Sequence, residues 1–171
     1  GYVDQATKAT LANMAEGKIH EAAGSESTDL GGAARIAPLL WAYGNDLERL
    51  VVAARAQTAM THNHPEVIAS ADFFVRTTWG VLQGRTPAEA VALAADDKAT
   101  DDTLKGWIEE AMDSRDRDTR QAIADFGQTC EAPAARRLAA CSSRRTTFTR
   151  GIPASRQSLT IIQPSWLTAA V

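Results

Sequence analysis

Apolar residues recur through the first 130 positions at spacings of three and four, the repeat that puts side chains on one face of an α-helix. Val3, Thr7, Leu11 and Met14 make the first stripe, which stops at Gly17. Leu47, Leu50, Val51 and Ala54 make a second. A longer one runs through Val67, Ala71, Phe74, Val75, Thr78, Val81 and Leu82, and another through Leu104, Trp107, Ile108, Ala111 and Met112. Thr86-Pro87-Ala88-Glu89 has the form of a capping box with proline at the first helical position, so a helix is predicted to start at Thr86. Asp101 or Asp102 is placed to cap the last stripe, where a carboxylate also complements the positive end of the helix dipole. No segment before residue 130 alternates with period two over a Val-, Ile- or Thr-rich run. The predicted fold class is all-α.

Between the stripes, residues 18–34 are small, polar and glycine-bearing (Gly24, Gly31, Gly32), a loop that leads into a helix at about Ala33. Residues 113–120 mix charges of both signs and read as a solvated helix junction. From Pro133 the chain turns rich in Arg, Ser, Thr and Ala and loses its helical period. The predicted organisation is therefore a helical domain over 1–131 and an atypical tail over 132–171. The tail reads as an out-of-frame end, as a basic arm for an acidic partner or nucleic acid, or as a disordered end without a role.

Composition narrows the picture. A chain of 171 residues, 44% hydrophobic, suits one domain with a self-sufficient core. Cys130 and Cys141 are too few for a disulfide framework and have no histidine or third thiol nearby for zinc; Cys130 reads as a small buried hydrophobe. No run of 18 apolar residues is long enough to span a membrane. No basic n-region and apolar h-region open the chain, so cytoplasmic residence is the expectation. The start at Gly1 rather than Met reads as the inside of a longer reading frame. Residues 1–131 carry all 21 acids against 12 bases, a net charge of −9, while 132–171 carry six arginines and no acid. An acidic body argues against nucleic-acid binding through it.

Two segments carry candidate chemistry. In Asp29-Leu30-Gly31-Gly32-Ala33-Ala34-Arg35, the glycines permit positive φ and close approach of backbone N–H groups to a ligand. A helix starting just after them would offer free N–H groups to a phosphate, and Arg35 adds a bidentate cation. Asp29 is suited to accept from ribose hydroxyls. The same pattern fits a glycine turn before a packed helix. Thr61-His62-Asn63-His64-Pro65 joins two stripes; its histidines, at i and i+2, do not share a helical face, which disfavours a metal site built on one helix. It reads equally as a polar turn with one hydrogen-bonded histidine. Thr100-Asp101-Asp102-Thr103 reads as a helix start.

The run Gly31-Gly32-Ala33-Ala34-Arg35-Ile36-Ala37-Pro38-Leu39, followed by Ala56-Gln57-Thr58-Ala59-Met60-Thr61-His62-Asn63-His64-Pro65, resembles the ADP-ribosylglycohydrolase superfamily, with the flavour of its bacterial and crystallin J1-like branch. Gly1-Tyr2-Val3-Asp4-Gln5-Ala6-Thr7 and Gly127-Gln128-Thr129-Cys130-Glu131 sit in the order of that family, so the resemblance covers about residues 1–131. It implies an all-α multi-helix bundle that hydrolyses the glycosidic bond of ADP-ribosylated substrates with two Mg²⁺ or Mn²⁺ ions. It assigns Asp29, Gly31, Gly32, Ala33, Arg35 and His62 to the ADP-ribose-type ligand.

Two departures temper that implication. The family draws its carboxylate ligands from a Thr-Asp-Asp motif ahead of the glycine loop and an Asp-x-Asp motif near the C-terminus. The first is expected upstream of Gly1, and no Asp or Glu follows residue 140 to supply the second. Hard cations need oxygen-rich sites, so this chain is expected to bind neither Mg²⁺ nor Mn²⁺, to have no assignable catalytic residue and to be inactive. The alternatives are a non-catalytic module that binds ADP-ribose or a nucleotide, and a crystallin-like structural protein. Without partner helices, Phe73, Phe74 and Trp79 are expected to be exposed and to drive self-association.

Overall fold

A computed structural model describes residues 3–98, 100–127, 129 and 131. Among them are α1 (Gln5–Ala15), α2 (Ala37–Tyr43), α3 (Leu47–Ala59), α4 (Pro65–Leu82), α5 (Pro87–Ala95), α6 (Asp102–Asp113) and α7 (Thr119–Phe126). Short 3₁₀ turns cover His20–Ala23, Ala33–Ile36 and Ser114–Asp116. The described residues form no strand, only two isolated bridges, and the all-α expectation holds. The 132–171 tail, Cys130 and Cys141 lie outside the described residues.

The caps read from sequence are in place. Thr86 and Glu89 form the reciprocal capping box of α5, and the Asp101 carboxylate accepts from the Leu104 N–H at 2.7 Å to open α6. Asp118 opens α7 by accepting from the Arg120 and Gln121 N–H groups, and Asp116, Arg117 and Arg120 around it are exposed, as a solvated junction requires.

α4 is the central element, packed against α3 on one side and α5 on the other. Its 18 residues span about 27 Å, and two of its faces are apolar. Val67, Ala71 and Val75 join Leu50, Val51 and Ala54 of α3 and Ala33 and Ile36 in one cluster. Phe73 joins Val91, Ala94, Leu104 and Ile108 of α5 and α6 in another. Phe73 is therefore 4% exposed rather than open to solvent, because α5 and α6 fold back over it. Phe74, its ring 6.1 Å from that of Phe73, is half-buried between the clusters. Trp79 is half-buried too, its indole N–H donating to the Gly44 carbonyl at 2.9 Å. The exposed large apolar side chains are others, above all Trp41 at 85%, with Ile19, Val52 and Leu82.

α1 reverses its predicted orientation. Leu11 and Met14 face solvent, and the buried residues are Ala6 and Thr10. The surface beneath α1 is loop backbone, which calls for small residues and hydrogen-bond donors rather than an apolar stripe. The Thr10 hydroxyl lies 2.9 Å from the Ala6 carbonyl and 3.2 Å from the Thr61 carbonyl, while the Asn13 amide donates to the Ala23 carbonyl at 3.1 Å.

A buried carboxylate ties α3, α4 and the end of α5 together. Asp72 accepts from Arg76 Nε at 2.5 Å and Arg55 Nη1 at 3.2 Å, and Arg76 reaches on to Asp97 at 3.0 Å. The Arg55 link, half exposed on the arginine side, adds little, whereas Asp72 and Arg76 are mostly shielded. Asp72→Ala is expected to destabilise the fold by about 2–3 kcal/mol, below the cost of breaking a fully buried pair because Arg76 keeps some solvent. Urea denaturation measures it; a loss no larger than that of Arg55→Ala would show the network to be energetically idle.

Candidate functional site

The site is built where the loop after α1 meets the turn between α3 and α4. Ser25 and His62 form a parallel bridge: the Ser25 N–H donates to the Thr61 carbonyl at 3.1 Å, and the Asn63 N–H donates to the Ser25 carbonyl at 2.7 Å. The Ser25 hydroxyl adds a bond to the same Thr61 carbonyl at 2.8 Å, so loop, turn and α1 meet on one acceptor. Gly24 permits the approach, since a Cβ there would stand 2.0 Å from the Ala59 carbonyl oxygen.

Beyond the bridge the loop stabilises itself. The Asp29 N–H donates to the Ser27 hydroxyl at 3.2 Å, the Asp29 carboxylate accepts from the Gly31 N–H at 2.6 Å, and the Asp29 backbone pairs with Glu131. Gly31 and Gly32 then lie flat against the His62 imidazole. A Cβ on Gly32 would fall 2.9 Å from Nδ1 and 3.0 Å from Cβ and Cγ of His62; one on Gly31 would fall 3.7 Å from Nε2. Neither glycine has a positive φ, contrary to expectation. Gly32 is needed because the His62 side chain occupies the space a side chain would take, whereas at Gly31 the tight neighbour is the Asp29 carboxylate, 3.0 Å from a new Cβ.

The helix expected at Ala33 is also different. A four-residue 3₁₀ turn fills Ala33–Ile36, and the seven-residue α2 starts at Ala37. Pro38, in the first turn of α2, has no N–H to bond back into the preceding turn, so an α-helix cannot run continuously through it. The Ala34 and Arg35 N–H groups are spent on the Leu30 and Gly32 carbonyls. The anion pocket of a long helix start is therefore absent at this loop.

Arg35 turns back over the loop. Its Nε donates to the Gly31 carbonyl at 3.1 Å and its Nη2 to the Thr61 hydroxyl at 2.8 Å. That hydroxyl lies 3.0 Å from Nδ1 of His62. His62 is 2% exposed, and its backbone N–H bonds to the Thr58 carbonyl at 2.9 Å. Burial, followed by the Arg35 guanidinium, lowers the His62 pKa below the ordinary 6.5, while Asp29 and Asp4 pull the other way. Asp4 faces the site as the cap of α1, its carboxyl held below the usual carboxylate value chiefly by the bond from the Thr7 N–H.

The sign of the pH dependence follows. Between the lowered folded pKa of His62 and 6.5, the unfolded chain binds a proton there that the folded chain refuses. Stability is thus complete above 6.5 and falls as the pH drops below it, before carboxylates begin to titrate. Urea midpoints from pH 7.5 down to about 5 should decline in the native chain and stay nearly flat in His62→Gln over the same window. Equal slopes in the two proteins would refute the assignment to His62.

Of the residues read from sequence, Asp29, Gly31, Gly32, Arg35 and His62 come together. Ala33 adjoins them, but its side chain is wholly buried in the α3–α4 core, so only its backbone can serve a ligand. His64 starts α4 without a side-chain cap bond, and no hydrogen bond joins its side chain to the His62 cluster among the described residues. Sequence reasoning missed Asp4, Gly24, Ser25 and Thr61. Thr61 stood beside His62 in a quoted motif; nothing in the sequence marked Ser25. An open groove of about 740 Å³ along the end of α4 and α5, lined by Trp79, Gln83, Arg85, Glu89 and Leu93 among others, shares no residue with this site.

The Mg²⁺ or Mn²⁺ implied by the resemblance finds no donor set here. All 21 acids and all three histidines are among the described residues, and nowhere among those do three His, Cys, Asp or Glu side chains converge. Asp72 is committed to two arginines, and Asp101 caps α6 while Thr100 beside it bonds the Ala94 carbonyl at 2.8 Å. The described residues also contain no helix long and apolar enough to cross a membrane.

Comparison with known proteins places the chain. No curated protein and no solved structure matches it. The family model described as ADP-ribosylglycohydrolase matches residues 1–159, which takes in the loop, the His62 turn and part of the basic segment beyond Glu131. With that match spanning most of its length, the chain belongs to the ADP-ribosylglycohydrolase family.

Proposed function

We propose that this chain binds an ADP-ribose-type ligand at the 29–35 loop and His62 without hydrolysing a glycosidic bond. The observation that supports the reading is the convergence of Asp29, Gly31, Gly32, Arg35 and His62 from two separate segments, locked together by the Ser25–His62 bridge. Such a set suits a ligand that is both anionic and hydroxyl-rich. A carboxylate accepts from ribose hydroxyls, and a guanidinium offers donors to a diphosphate. The family match supports hydrolase ancestry, while the want of converging carboxylates among the described residues argues against turnover.

Calorimetry with ADP-ribose, with and without Mg²⁺, tests the proposal. Binding that is indifferent to the metal is the expected result. Metal-dependent binding accompanied by hydrolysis would make the chain an enzyme and overturn it. No binding under either condition would overturn it in favour of a structural role of the crystallin-like kind.

A further inference from the structure

We infer that Thr61 is a positioning residue: backed by Arg35, it holds the His62 imidazole as the Nε2–H tautomer, a hydrogen-bond donor on the edge that lies beside Gly31. The inference deepens the proposed ligand site and rests on that reading for its functional meaning.

The argument is one of donors and acceptors. A hydroxyl has one proton and two lone pairs, a guanidinium only donates, and a neutral imidazole has one nitrogen of each kind. Arg35 Nη2, 2.8 Å away, must donate to the Thr61 hydroxyl oxygen. That hydroxyl still has its proton, and the nearest acceptor is Nδ1 of His62 at 3.0 Å. A directed chain from Arg35 through Thr61 to His62 uses every group once and leaves the imidazole proton on Nε2. The opposite tautomer would set two donors on the Thr61 oxygen and leave its proton without a partner among the described side chains. A cation at the head of the chain polarises the hydroxyl towards Nδ1 and strengthens the preference. The ring cannot turn away, because Gly31 and Gly32 cover its face and the residue is almost wholly buried.

The consequence is chemical. With its proton on Nε2, His62 offers a donor and no acceptor on the edge beside Gly31, so a ligand group that reaches that edge must accept, and the edge does not take a proton from water. Arg35, which the motif casts as a direct phosphate ligand, acts at least in part through Thr61.

Imidazole ¹⁵N NMR of the free full chain at about pH 8 reads the tautomer directly. His62, assigned by the resonances lost in His62→Gln, should show a pyridine-type Nδ1 and a pyrrole-type Nε2. Thr61→Val, close in shape but without the hydroxyl, should mix the two tautomers, and Thr61→Ser should restore the native pattern. An Nδ1–H signature in the native chain, or an unchanged pattern in Thr61→Val, would overturn the inference. Affinity for ADP-ribose should fall about tenfold in Thr61→Val, the worth of one directed hydrogen bond, and recover in Thr61→Ser. Should the tautomer behave as described while the native chain fails to bind ADP-ribose, the ligand reading falls and the positioning role stands.

Discussion

Mixed with an ADP-ribosylated peptide in millimolar Mg²⁺ or Mn²⁺, this chain is expected to release no ADP-ribose above the uncatalysed rate. Enzymatic turnover requires at least about 8 kcal/mol of barrier lowering. A metal could supply much of that by activating a water and orienting it, but only if carboxylates converge to hold the metal. No such cluster exists among the described residues, which include every acid of the chain. The remaining resources are His62, Arg35 and Asp29. Holding the ribose and diphosphate of the ground state tightens binding without raising the rate of the bound complex. A well-placed general base contributes about 10²- to 10⁴-fold, short of the requirement, and the Nε2–H form of His62 is a donor rather than a base. Turnover that survives purification and disappears with a chelator would overturn this expectation and disclose a metal site.

How far the sequence reveals this molecule depends on what each helix packs against. α3, α4 and α6 pack against other helices, so apolar side chains such as Leu50, Val67, Val75, Leu104 and Ile108 are buried and lie on the stripes of 3.6-residue period. The caps of α3, α5 and α6 are hydrogen bonds between residues three apart, such as Asp101 with Leu104, which a local sequence pattern can show. α1 packs against loop carbonyls, where Thr10 and Asn13 serve better than Leu11 and Met14, and an apolar stripe then marks the wrong face. The candidate site shows the same division. Asp29, Gly31, Gly32, Arg35 and His62 were legible through an ordered pair of motifs. The reason for Gly32 was not, since it lies in a side chain 30 residues further along the chain. Gly24 acts through close backbone approach, and Ser25 and Thr61 through backbone and hydroxyl bonds between distant segments, and such contacts leave no local pattern.

That same contact makes the glycines the most sensitive positions of the site. Gly24→Ala is expected to cost about 3 kcal/mol or more, because its new methyl would sit 2.0 Å from the Ala59 carbonyl oxygen. The obstacle is backbone at the end of α3, not the tip of a flexible side chain, so relief requires breaking the Ser25–His62 bridge. Gly32→Ala meets the Nδ1, Cβ and Cγ atoms of His62 at 2.9–3.0 Å and should cost about 1–3 kcal/mol. Gly32→Val adds bulk against a ring with no room to retreat. It should abolish ADP-ribose binding while leaving most of the helix content intact, since α4 packs directly against α3 and α5. Gly106→Ala is the opposite case. Gly106 lies inside α6 with nothing within 4 Å of a new Cβ, and there alanine should stabilise by about 0.5–1 kcal/mol through helix propensity. Urea denaturation of the three alanine variants gives the order directly. A Gly24→Ala protein as stable as Gly106→Ala would mean that the loop does not lie on the α3–α4 turn, and the site built on that contact would fall with it.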